Sequence, residues 1–185
     1  MRIAPKVDFP LEETRRILEP GPVVLVTSSH RGERNIMTMG WHMMLGFSPA
    51  LVATYVWTGN RSHELLRRSG ECVINVPTRA LLDQVVSVGN SSGTDLDKFE
   101  MFGLTAQAAE AVAAPIVGEC FAAFECRLAD ASQIDTHGLF IWEVVKAHVA
   151  LEPALPETLH YMGHGEFMVA GKIVNCSHRF KAANL

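Results

Sequence analysis

NIMTMGWHMMLGF, residues 35–47, places large apolar side chains at every odd position from Met37 to Phe47, with Thr38, Gly40, His42 and Gly46 among the residues between them. A repeat of two with interior glycines predicts a strand over a helix, because successive strand side chains point to opposite faces and glycine lets another group approach the backbone closely. The stretch is apolar enough to be buried. Asn35, Thr38, Gly40, Trp41 and His42 are therefore expected to do something other than ordinary packing.

Working outward, PVVLVTSS and the turn residues HRGERN on its N-terminal side predict a hairpin with the quoted strand. Residues 11–19 (LEETRRILE) predict a short amphipathic helix stopped by Pro20, Gly21 and Pro22. On the C-terminal side, ALVATYVW (50–57) is apolar on both parities and predicts a strand covered on both faces. RSHELLRRSG predicts a helix, ECVINVP a strand, TRALLDQVVSVG a second helix, GNSSGTD a loop and DLDKFEMFG a short helix ended by Gly103. GECFAAFECRLADA, LFIWEVVKAHVAL and EFMVAGKIV complete six or seven strands. Strict alternation of strand and helix is missing, so the pattern predicts a mainly β protein, an antiparallel barrel carrying inserted helices. A chain of 185 residues with 48% hydrophobic side chains is expected to form one domain, 1–185.

A formal charge of −4 removes the general electrostatic case for nucleic acid or an anionic membrane surface. MRIAPKVDFP lacks an apolar core, and no run of about 18 uncharged apolar residues occurs, so neither export nor a membrane span is expected, and the expected location is cytoplasmic. Cys72, Cys120, Cys126 and Cys176 form no C-x-x-C; Cys120 and Cys126 share one strand parity and are expected to pack inward as free thiols. His160 and His164 are four apart, but HYMGHG holds two glycines and lacks the glutamate of H-E-x-x-H, so no metal site is expected.

There is no G-x-x-x-x-G-K-[ST] and no G-x-S-x-G, and GHGEFM lies between no clear strand and helix. GNRSHELL offers a helix N-terminus beside Arg61 and the Ser62 hydroxyl, an anion seat by backbone electrostatics; a simple cap by Asn60 or Ser62 is the plainer alternative. Lys98 in DLDKFE reads equally as a solvated helix charge, and His137 in DTHGLF as a turn residue.

The order of these features, PGPVVLVTS, N-x-M-T-x-x-W, SPALVATYV, NRSHELLRRSGECVINVP, DKFE and DTHGLFIWEVV, resembles the flavin reductase-like proteins with an FMN-binding split barrel, in their flavoredoxin-like branch. The resemblance covers about residues 18–170 and implies a Greek-key split β-barrel, a homodimer, and FMN held noncovalently near the subunit interface. It assigns Asn35 and Trp41 to the flavin, with Thr38, Met39 and Gly40 as backbone or hydroxyl contacts. It places the phosphate at Ser62, with Arg61 and His63 beside it, and adds Lys98, His137 and a late aromatic, Phe167. The chain reads DTHG where many relatives read D-H-T, and His137 is the single candidate for a catalytic role.

The function implied is a flavin-dependent oxidoreductase, moving electrons or hydride between NAD(P)H or a protein donor and flavin or a downstream acceptor. A noncatalytic flavin-binding or flavin-storage module is the alternative. A unit charge about 4 Å from the ring at an effective dielectric near 20 is worth at most about 4 kcal/mol. That is roughly 85 mV for a two-electron couple, so Lys98 or His137 is expected to tune the potential.

Overall fold

The computed structural model describes residues 3–18, 21–94 and 96–181. Its main sheet is antiparallel and is assembled from β1 (Lys6–Asp8), β2 (Val24–His30), β3 (Glu33–Met39), β4 (His42–Gly46), β5 (Leu51–Tyr55), β6 (Glu71–Val76), β9 (Ala122–Asp130) and β10 (Leu139–Ala150). Two small sheets accompany it: β7 (Ala106–Gln107) with β8 (Ile116–Val117), and β11 (Leu159–Gly163) with β12 (Glu166–Val169). The helices are α1 (Arg15–Leu18), α2 (Arg61–Ser69), α3 (Leu82–Gly89), α4 (Lys98–Met101) and α5 (Ile134–His137).

Strand order is β3-β2-β6-β9-β10-β5-β4, with β1 added along β10. The two ends of this order, β3 and β4, are joined in the chain by Gly40 and Trp41 alone. Three peptide steps reach at most about 11 Å, so the outer strands of the sheet must approach each other at that corner. The sheet is rolled into a barrel left split between β3 and β4, the Greek-key split barrel.

Inside it, Val24 and Val26 from β2, Ile74 from β6, Phe124 from β9 and Phe140 and Trp142 from β10 form one buried cluster. Trp142 stacks on Phe140 with centroids 5.4 Å apart, and its indole nitrogen donates to Thr54 Oγ1 at 2.8 Å. Leu66 of α2 enters the same cluster, so α2, which connects β5 to β6, packs into the barrel. On the outer face, Leu25 and Ile36 meet Val85 and Val88 of α3 and Phe99 of α4.

Several expectations are corrected. The quoted stretch is two strands, because the split falls at Gly40–Trp41. Its odd positions divide there: Met39 is in the barrel core, whereas Trp41, Met43, Leu45 and Phe47 are 71, 58, 45 and 65% exposed. The helix expected at 11–19 is broken into a 3-10 turn at Leu11–Glu13 and α1, while Glu19 and Pro20 lie outside the described residues. Cys120 faces the outer layer and Cys126 the barrel, because the chain shifts before β9 and Phe121 takes the inward position. EFMVAGKIV is not a barrel strand; its ordered part, β12, pairs with β11 in a separate hairpin.

Candidate functional site

β3 pairs with β2 on one side and has no strand partner on the other among the described residues. Helix α2 packs near one of its faces and α3 on the other, and a cleft runs along the open edge between them. That cleft answers why an apolar strand carries Asn35 and Thr38. The two side chains fall on opposite faces of β3, and both reach the cleft because the strand edge itself lines it.

The cleft has two lobes that share Thr38, Gly89 and Asn90. The polar lobe, about 410 Å³, is lined by Asn35, Arg61, Ser62 and Lys98, and by the turn from Asn90 to Gly93. Asn35 is buried and its Nδ2 donates to Ser62 Oγ at 3.0 Å, which ties β3 to the first turn of α2. Asn60 holds the N-cap position of α2 with extended backbone, yet its side chain makes no capping bond. Capping by the Asn60 side chain therefore does not account for this terminus; Arg61 and Ser62 of its first turn line the lobe, while the His63 amide donates to the Asn60 carbonyl at 2.9 Å. Gly93 lies so close that a Cβ there would come within 2.1 Å of Asn35 Oδ1; only glycine lets the turn close over this strand.

Lys98 is buried at 5% exposure, and its ammonium donates to the Val88 carbonyl at 3.0 Å. It pairs with no carboxylate among the described residues, and burial lowers its pKa. Its position is fixed one residue away: Asp97 caps α4 by accepting from the amides of Phe99 and Glu100, and the same carboxylate takes Arg34 at 2.6 Å. Burial pushes the Asp97 carboxyl up, but Arg34 and the two amides outweigh it and leave its pKa lowered. Arg34 in turn lies over the Phe99 ring, 5.1 Å from its centroid.

The apolar lobe, about 390 Å³, is lined by Val23, Gly40, Val85 and Val86, with Tyr161 and Phe167 standing over it from the β11–β12 hairpin. Those two rings contact each other at 5.2 Å. A charged group thus has one lobe, and a flat apolar one the other, with Thr38 at the junction. The Thr38 hydroxyl is taken by the Val85 carbonyl at 2.6 Å, which fixes α3 against β3.

The structure gathers Asn35, Thr38, Arg61, Ser62 and Lys98 in the polar lobe, and Thr38, Gly40 and Phe167 in the apolar lobe. The side chains of the other sequence candidates lie elsewhere. Met39 points its side chain into the barrel, while its backbone, the part expected to make contact, runs between Thr38 and Gly40 of the cleft. His63 is buried behind the lobe, edge-on to Phe140 at 5.3 Å, with Nε2 unpartnered and its pKa lowered chiefly by burial. Trp41 is exposed on the outer surface against Tyr55, 5.2 Å between rings. His137 is exposed in neither lobe, next to Gly138, which packs on Tyr55.

Sequence reading missed the turn Asn90–Gly93 and the hairpin's Tyr161. The signal for the first was present, since GNSSG is a run of small polar residues able to bring backbone close to a ligand. Tyr161 carried no such signal, because its placement depends on a hairpin distant in sequence.

The Flavin reductase like domain model matches residues 15–168. The chain belongs to the flavin reductase-like family. It is 33% identical over 182 residues to the uncharacterized protein YddH of Escherichia coli (strain K12), covering 91% of this chain and 96% of that protein. Among solved structures it is similar to an FMN-binding domain of a flavin reductases-like enzyme from Shewanella baltica OS155, with 27% identity, TM-score 0.88, and coverage of 95% of this chain and 100% of that one. It is also similar to flavoredoxin of Desulfovibrio vulgaris (Miyazaki F), with 25% identity, TM-score 0.77, and coverage of 88% and 92%. No helix among the described residues is long and apolar enough to cross a membrane.

Proposed function

We propose that this chain binds FMN noncovalently in the two-lobed cleft and works as a flavin-dependent oxidoreductase. The observation that carries the reading is the junction of an anion-seeking lobe with an apolar, aromatic-walled one along the open edge of β3. The residues fit the cofactor. Ser62, the uncapped start of α2 and the buried ammonium of Lys98 suit a phosphate dianion. Val86 and Phe167 suit the face of a fused ring, and the free backbone groups along β3 suit its polar edge.

Bound flavin would supply the redox chemistry; the chain supplies position. Asn35 orients Ser62, Thr38 holds α3 in place, and Tyr161 with Phe167 keeps water from the apolar lobe. Trp41, Met43, Leu45 and Phe47 give β4 an exposed apolar face on a sheet edge, which supports a homodimer with the second copy covering it. His137, exposed and in neither lobe, is assigned no step.

The test is to purify the protein, identify any released flavin, and add NADH, then NADPH, to the FMN-loaded protein without oxygen. Bleaching of the flavin band by either nucleotide supports reductase activity. Bleaching only by a reduced protein donor supports electron transfer of the flavoredoxin kind. A yellow protein inert to every reductant would favour the storage module, and a protein that takes up no flavin would overturn the reading.

A further inference from the structure

We propose that Glu33 limits how tightly this chain holds FMN by engaging the Arg61 guanidinium at the wall of the polar lobe. The inference rests on the flavin reading above. β3 presents Glu33 and Asn35 on one face, two residues apart, and they meet successive residues of α2: Glu33 meets Arg61, and Asn35 meets Ser62. Arg61 donates to Glu33 from Nε at 2.9 Å and from Nη2 at 2.5 and 2.6 Å, while Nη1 contacts Glu64. The Glu64 carboxylate is itself shared with Arg68 at 2.8 Å.

A guanidinium grips an oxyanion best with two parallel N–H groups along one edge. In Arg61 the Nε and Nη2 edge is occupied by Glu33, and Nη1 is directed at Glu64. Arg61 lines the lobe, but two carboxylates already answer its charge. An entering dianion meets Lys98 and the start of α2 as its cations, and meets Glu33 as a competitor for Arg61. With Glu33 removed, Arg61 is free to turn its fork toward the phosphate. The arrangement suits a flavin that is bound, reduced and released, as opposed to one held permanently.

The experiment is a set of FMN and riboflavin titrations, followed by flavin fluorescence, on wild type, E33Q, R61A and the double variant E33Q/R61A. Replacing one carboxylate near a dianion, and freeing one guanidinium, should tighten FMN by about fivefold at low salt. Riboflavin lacks the phosphate, so its affinity should move less than about twofold by the same electrostatics. The FMN gain should fall below about twofold when E33Q is made in the R61A background, the remainder being the lost carboxylate charge. FMN affinity unchanged or weaker in E33Q overturns the proposal and leaves the flavin reading standing. A gain undiminished without Arg61 also overturns it, since Glu33 would then act without Arg61. Failure of wild type to bind FMN at all overturns both.

Discussion

Lys98 is a buried cation held by a carbonyl, with no carboxylate beside it among the described residues, and an anion bound in the lobe would answer its charge. The potential shift expected of it from sequence belongs to a charge at the ring, whereas Lys98 stands in the polar lobe with Ser62. Its larger effect is expected on phosphate affinity. Lys98→Met should cost about 1.5–3 kcal/mol of FMN binding, roughly ten- to a hundredfold, and leave riboflavin nearly unchanged. Fluorescence titration with both ligands checks this, and an equal loss for both would show that Lys98 shapes the cleft instead. His63 answers to pH. Burial holds it below its ordinary 6.5, so the unfolded chain takes the proton more readily than the folded one. The stability from neutral His63 is fully present above about pH 6.5 and is lost as pH falls through the folded value. His42, also lowered by burial, has the same sign. Thermal melts between about pH 7 and pH 5 should show a falling midpoint, with a shallower slope in His63→Gln.

At the level of elements, β3 and β4 share one apolar pattern and meet opposite fates. β3 lies under α2 and α3, while Met43 and Leu45 on the odd face of β4 are exposed. A covered sheet edge would be broken by charge there. Met43→Lys with Leu45→Lys should convert a dimer to a monomer by light scattering, at little cost to the melting temperature of the single chain, because both side chains are already exposed. A wild-type monomer would remove the dimer from the reading. The pattern of apolar residues marked the strands, and it could not mark the break. Gly40 and Trp41 fit the period of two as well as their neighbours do, so only the arrival of β4 beside β5 shows that the run turns.

At the level of the whole molecule, one barrel cluster joins β2, β6, β9 and β10, and the cleft is built on its outer strands. Phe124 is fully buried at its centre. Phe124→Ala should cost about 3–5 kcal/mol, by lost burial and the cavity left behind. At this size, with each kcal/mol worth about 2–4 °C, the melting temperature should fall by about 10 °C. A drop under about 3 °C would mean that the barrel interior collapses around the gap. The sequence by itself determined the strand-rich class, the helix start at Arg61 and Ser62, and the polar residues Asn35, Thr38 and Lys98, because periodicity, caps and local chemistry act over a few residues. The tertiary structure decided that the barrel splits at Gly40–Trp41, that Met39 turns inward while Trp41 stays outside, and that Glu33 captures Arg61. Those outcomes depend on which distant segments share a sheet edge, and a contact between strand and helix leaves no trace in the spacing of either.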